Sequence, residues 1–211
     1  NNMFIEGQDR KNLTPIFWGD FNKKSVGEDN NNKEDTRDLI KFAFETIDNN
    51  STNNTYRTHF RALLTGFTDS NTSDWEGKRY TGRGENMYTY QGFDRIISFN
   101  FTIMAQSKQE MKPLWQKLNY LNSTLQPDYS NDGFMRGNIT RLTIGEYLYR
   151  TPGILKSLNF SIKDQYSWEI KLDEPENGPD ADMMELPHGI DVSVSFTPIL
   201  DQLPRTITKD N

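Results

Sequence analysis

The feature that most constrains this chain is alternation of apolar and mostly polar residues in two segments far apart in sequence. Ile97, Phe99, Phe101 and Ile103 alternate with Ile96, Ser98, Asn100 and Thr102, and Ile190, Val192, Val194 and Phe196 alternate with Asp191, Ser193, Ser195 and Thr197. Successive side chains of an extended strand point to opposite faces, so each pattern specifies one dry and one wet face. Aromatic residues reach 12% although hydrophobic residues are only 34%, which concentrates the apolar content in large side chains of the kind that fill sheet faces.

Weaker copies of the pattern predict further strands. Ile40, Phe42 and Phe44 oppose Lys41, Ala43 and Glu45; after an Asn-rich loop at 49 to 54, Tyr56, Thr58, Phe60 and Ala62 oppose Arg57, His59 and Arg61, which makes a long-looped hairpin. Trp75 to Tyr80 and Met87 to Tyr90 predict a short pair about the Gly82-Arg83-Gly84 turn. Ile139 to Ile144, Tyr147 to Tyr149, Leu158 to Ile162 and Trp168 to Leu172 predict later strands, with a turn at Pro152-Gly153. One helix is expected at about 109 to 124. Ser107 and Glu110 have capping-box spacing, and Met111, Leu114, Trp115, Leu118 and Leu121 form a stripe at helical spacing; Pro113 argues for a start nearer Lys112. The resulting class is mainly β with one principal α-helix: a two-sheet sandwich or half-barrel of eight to ten strands with the helix on its side.

Three regions are expected. Residues 1 to 38 form a polar arm or linker whose aromatic anchor, Phe17 and Trp18, docks on a partner while the Asn-rich run stays mobile; 39 to 205 form the β domain; 206 to 211 form a tail. The chain begins Asn1-Asn2-Met3, which predicts a piece of a longer polypeptide.

Little points to chemistry. There is no cysteine for a disulfide, a thiolate metal site or a thiol nucleophile. The two histidines, His59 and His188, sit outside any nucleophile–base motif, and the acidic stretch Asp173 to Asp182 lacks the ligand register of a calcium loop. No catalytic residue, cofactor or metal is therefore expected. A net charge of -6 and a pI near 5.0 remove the broad field that nonspecific nucleic-acid binding requires, so no specific nucleic acid is expected as a partner, and no run of about 18 apolar residues suggests a membrane span.

Several segments carry a family resemblance. Arg83-Gly84-Glu85, Tyr88 to Phe93, the 95 to 104 strand, Glu110 to Leu114 and Lys117 to Leu121 are among them. Pro127 to Ser130, Leu142 to Leu148, Pro152-Gly153, Trp168 to Ile170, Leu186-Pro187-His188 and Phe196 to Ile199 continue the match. Together they resemble a tail-tube-like module of tailed-bacteriophage tail and baseplate proteins, over about residues 39 to 205. The resemblance implies a structural virion protein, made in the host cytoplasm, that joins tail tube to baseplate. Its partners would be copies of itself or other tail and baseplate proteins, in a homo-oligomer or pseudo-symmetric ring.

Long alternating strands point the same way, since their open edges are hazards in a monomer and are removed by pairing with neighbours. Trp75, Tyr80, Tyr88 and Tyr90, near hairpin ends, are expected as interface anchors or as cover for the core. The alternative function is a carbohydrate- or peptidoglycan-binding β-sandwich, in which exposed Trp75, Tyr88 and Tyr90 stack on sugar rings.

Overall fold

The computed structural model describes residues 16–20, 40–130, 133–170, 173–174, 178–179 and 184–200. The mobile run expected in the arm, the tail at 206 to 211 and most of the acidic stretch lie outside the described residues.

Eight strands form one antiparallel sheet. These are β1 (Phe17–Asp20), β2 (Phe42–Ile47), β3 (Asn54–His59), β4 (Leu63–Arg79), β5 (Asn86–Met104), β8 (Thr140–Ile144), β9 (Leu148–Ser161) and β12 (Gly189–Pro198), in the spatial order β1-β3-β2-β8-β9-β12-β5-β4. Two small ribbons pair β6 (Asp128–Tyr129) with β7 (Met135–Arg136), and β10 (Asp173–Glu174) with β11 (Gly178–Pro179). Helix α1 spans Lys108–Ser123.

The expected two layers are the two ends of this single sheet. β2 and β5 are four places apart in the order, which would separate them by about 19 Å in a flat sheet. Yet the Phe42 and Phe101 rings lie 5.1 Å apart and those of Phe42 and Phe99 6.0 Å apart. The sheet therefore curls until β2 faces β5, and the core fills the curl. Ile97 and Phe101 are 0% exposed, and the inward residues Ile190, Val192, Val194 and Phe196 of β12 are buried beside them. The alternation read from these two segments holds along their whole paired length.

Helix α1 lays Met111, Leu114, Leu118 and Leu121 into the core; Trp115, of the same expected stripe, packs partly buried at its margin. It begins at Lys108 despite Pro113. The Glu110 carboxylate accepts hydrogen bonds from the Ser107 hydroxyl at 3.1 Å and the Gln106 N–H at 3.3 Å, so Glu110 ties the entering chain to the first turn, while the Ser107 hydroxyl makes no capping bond to the helix backbone. Lys117 is also buried, its ammonium donating to the His59 carbonyl at 3.1 Å.

Three expectations are corrected. Pro152-Gly153 is no turn but lies inside β9, where Gly153 leaves room for the Phe196 ring packed directly on it; a Cβ there would overlap that ring. An extra residue in β9, Lys156, between the pairs Phe196↔Leu155 and Ser195↔Ser157, brings both Leu155 and Leu158 to the core face. The wet face expected for β2 is buried as well. Glu45 is clamped there by Arg57 at 2.8 Å and Arg150 at 2.9 Å, and Arg150 reaches it from a left-handed backbone with φ of 51°. The strand expected at Trp168 reduces, among the described residues, to a single bridge between Trp168 and Pro187.

Candidate interaction surface

The short pair expected at Trp75 to Tyr90 is the outer half of a much longer ribbon. β4 and β5 pair from Leu63↔Thr102 to Arg79↔Asn86 with two bulges, the first at Gly66-Phe67 of β4, so the segment seen as the core strand and the segment seen as a separate hairpin are one strand of 19 residues. The ribbon closes on a tight turn in which the Arg83 N–H donates to the Tyr80 carbonyl and Gly82 takes a φ of 89°, a position that favours glycine. Tyr80 lies at this turn, beyond the last paired residues.

The register decides which side chains share a face. Ile97 is buried and pairs with Asp69, so that pair marks the core-lining face. Stepping outward by two reaches Asn71↔Arg95 and then Ser73↔Phe93. A bulge follows: Asp74 pairs with Gly92 and Trp75 with Tyr90, leaving Gln91 as the extra residue. The same face then continues through Trp75↔Tyr90, Gly77↔Tyr88 and Arg79↔Asn86. Phe93, Trp75, Tyr90 and Tyr88 therefore form one aromatic row in line with the core, and Asp94, Asp74 and Glu76 fall on the opposite face. Without the extra residue the even-numbered Tyr88 and Tyr90 would lie on the face of Ser98 and Asn100. The Gln91 side chain joins the acidic face by donating to Glu76 at 2.9 Å.

The row is built but uncovered. Trp75 and Tyr90 meet edge to face at 5.0 Å, and the Tyr88 ring lies over Gly77, where a Cβ would come within 3.2 Å of it. Yet Trp75 is 54% exposed and Tyr88 64%. From Phe93 to Asn86 the ribbon runs about 24 Å with no third strand or opposing layer among the described residues. A two-stranded ribbon standing alone in water is marginal at best.

A polar knot separates the buried base from this exposed tip. Arg95 binds Asp69 through Nε at 3.0 Å and a terminal nitrogen at 2.5 Å, and the Tyr147 hydroxyl, from the β8–β9 turn, donates to Asp69 at 2.7 Å. Phe67 seals the inner side, 5.5 Å from the Tyr147 ring and 6.3 Å from Phe99. The Arg95 guanidinium holds the Asp69 carboxyl below its usual range against the opposing effect of burial, and the bond to Asp69 in turn raises the Tyr147 phenol.

Of the sequence-predicted residues, the structure brings Trp75, Tyr88 and Tyr90 together and leaves Tyr80 apart. The segment holding Phe17 and Trp18 is β1, whose backbone pairs with β3 of the same chain, Phe17 opposite Arg57 and Trp18 opposite Tyr56. Phe93 and the Asp69–Arg95 pair were not anticipated. The signal for Phe93 was present: apolar parity shifts from odd at Phe93 and Ile97 to even at Tyr88 and Tyr90 across Gln91-Gly92.

A polar cleft of about 310 Å³ lies elsewhere, lined by Asp48, Asn49, Tyr56, Tyr120, Asp128 and Asn138 among others. Its polar groups largely satisfy one another. Asn49 donates to Asp128 and Asn138, Arg136 binds Asp128 at 2.8 Å, and Asn138 donates to the Thr124 and Gln126 carbonyls. Burial pushes the Tyr120 phenol up to about 12. The network clasps the β2–β3 loop to the β6–β7 ribbon. His188 pairs with Glu169 at 2.8 Å, and among the described residues no group of three or more His, Asp or Glu is placed to hold a metal ion. No described helix is long and apolar enough to cross a membrane.

No family model matches the chain, and no curated protein matches its sequence at a significant level.

Proposed function

We propose that this protein is a structural, non-enzymatic subunit of a bacteriophage tail or baseplate, a virion component that joins tail-tube and baseplate neighbours by continuing its sheet into theirs. The observation that carries the reading is an asymmetry between the two borders of the sheet. The β3 border is covered by the chain's own β1, whereas β4 has a strand only on its β5 side among the described residues. Edge strands of monomeric proteins are blunted by proline, lysine, bulges or brevity, and of these the first eleven residues of β4 have one bulge, at Gly66-Phe67. β4 runs for 17 residues without proline, and from Leu63 to Ser73 its only charged residue is Asp69, on the core-lining face. Such an edge is a template for another strand, and ring closure among subunits would remove it. The resemblance of residues 39 to 205 to tail-tube-like modules supplies the phage setting.

The test is assembly with and without a blunted edge. Purified protein is expected to form discrete oligomers by sedimentation velocity, and Thr68→Lys with Thr72→Lys should dissociate them while leaving the far-UV circular dichroism unchanged. A wild-type chain that stays monomeric up to its solubility limit would sink the proposal.

A second reading has one observation in its favour. The exposed Tyr88 ring, backed by Gly77, is a flat platform of the kind that stacks on a sugar ring. Saturation-transfer NMR with peptidoglycan fragments, giving contacts at Tyr88 and Trp75 from a monomer, would favour that reading.

A further inference from the structure

The chain carries a second exposed apolar patch, on a different element. In the β6–β7 ribbon, Asp128 pairs with Arg136 on the face clasped to Asn49, which leaves the Tyr129↔Met135 pair on the other face. Tyr129 and Met135 are exposed, and neighbouring Phe134 is 73% exposed. We infer that the aromatic row of the β4–β5 ribbon in one copy receives the β6–β7 ribbon of the next copy, in a head-to-tail contact. The inference rests on the assembly reading above and adds the partner surfaces.

Three observations carry it. A self-complementary two-fold contact needs one patch per chain, whereas a head-to-tail contact needs two that do not overlap; the exposed apolar side chains of this chain include such a pair, on separately anchored elements. Their chemistry is complementary, because a Trp–Tyr–Tyr–Phe row offers rigid ring faces and edges, and a Met–Phe–Tyr cluster offers an adaptable thioether with two further rings. The two patches supply most of the area of a specific contact, and the strand-paired β4 border is needed for the rest. At roughly half exposure the four rings of the row present about 400 Å², and the three side chains of the other ribbon nearly as much. Their union would bury about 800 Å² before any rim is counted, and the strand-paired β4 border adds to it, approaching the size of specific interfaces. The acidic residues of the ribbon's tip, Asp74, Glu76 and Asp94, lie on its opposite face, clear of the contact, and Asp69 at the base is held by Arg95.

Two double variants test this, Trp75→Ser with Tyr90→Ser on the long ribbon and Phe134→Ser with Met135→Ser on the short one. Each alters exposed side chains, so each should keep the wild-type far-UV circular dichroism and a cooperative thermal transition, which checks folding. Each alone should lower the association constant at least tenfold by sedimentation. Mixed, the two should form heterodimers that grow no further, because one intact half of the contact remains on each partner. The absence of cysteine permits an independent measurement: a Ser73→Cys copy should crosslink to a Met135→Cys copy faster than either crosslinks to itself. If both double variants assemble like the wild type, the docking is overturned while sheet continuation stands. If only the long-ribbon variant loses assembly, the contact is ribbon to ribbon and the head-to-tail arrangement is overturned. A wild-type monomer would overturn both.

Discussion

The base and the tip of the β4–β5 ribbon are the same two strands, present the same face and carry the same kind of side chain, yet their surroundings are opposite. At the base, Ile97, Phe99 and Phe101 are sealed by β2, β8 and helix α1; at the tip, Phe93, Trp75, Tyr90 and Tyr88 meet water. Composition does not distinguish them. What differs is whether the curled sheet supplies an opposing layer, and it does so only as far as the Asp69–Arg95–Tyr147 knot. The tip thus has the inner face of a sandwich whose second half the described chain lacks.

The comparison can be broken most directly by truncation. Phe99→Ala should cost about 3–5 kcal/mol in urea unfolding, from lost transfer energy and the cavity left behind. Tyr90→Ala at the tip, measured on monomer, should cost no more than about 1 kcal/mol, the worth of one exposed aromatic pair. Equal costs would mean that the tip is packed within the monomer.

The boundary knot is the next largest effect. Asp69→Asn removes a carboxylate that accepts two bonds from Arg95 and one from the Tyr147 hydroxyl, and should destabilise by about 2 kcal/mol at neutral pH. Because the folded-state pKa of Asp69 is lowered, its contribution is present above the unfolded value of about 3.9 and is lost as pH falls through the folded value. The wild-type advantage over Asp69→Asn should therefore shrink in acid below about pH 4. An advantage that persists unchanged in acid would place the effect in packing instead of charge.

The smallest effect sharpens the tip itself. Gly77→Ala puts a methyl 3.2 Å from the Tyr88 ring. The exposed ring can swing away, so stability should change by no more than about 0.5 kcal/mol. The upfield ring-current shift expected for the Gly77 α protons should be absent at the corresponding alanine proton, by NMR.

Legibility followed the range of the forces involved. The strands at 97 to 103 and 190 to 196, the helix stripe and the turn at Gly82 were readable because each is set by neighbours a few positions away. Pro152-Gly153 misled for the opposite reason. Its dipeptide favours a turn locally, but the Phe196 ring, more than forty residues on, needs a site without a Cβ inside a strand. Glu45 likewise follows the wet-face pattern, and only the convergence of Arg57 and Arg150 makes its burial affordable. Of the candidate surface, Trp75, Tyr88 and Tyr90 were named from aromatic content near a turn. Their common face, and Phe93 with them, needed the bulge at Gln91.

From sequence alone came the element types: alternating side chains specify strands with a dry face, and a striped segment with a cap specifies one helix, because both periodicities are properties of the local backbone. Tertiary structure alone decided that eight strands form one curled sheet, that β4 and β5 are a single ribbon, and that its aromatic row points along the core and outlasts it. Those outcomes depend on register and curvature, which are settled by contacts between residues distant in the chain, and a one-residue shift at Gln91 is enough to choose the face.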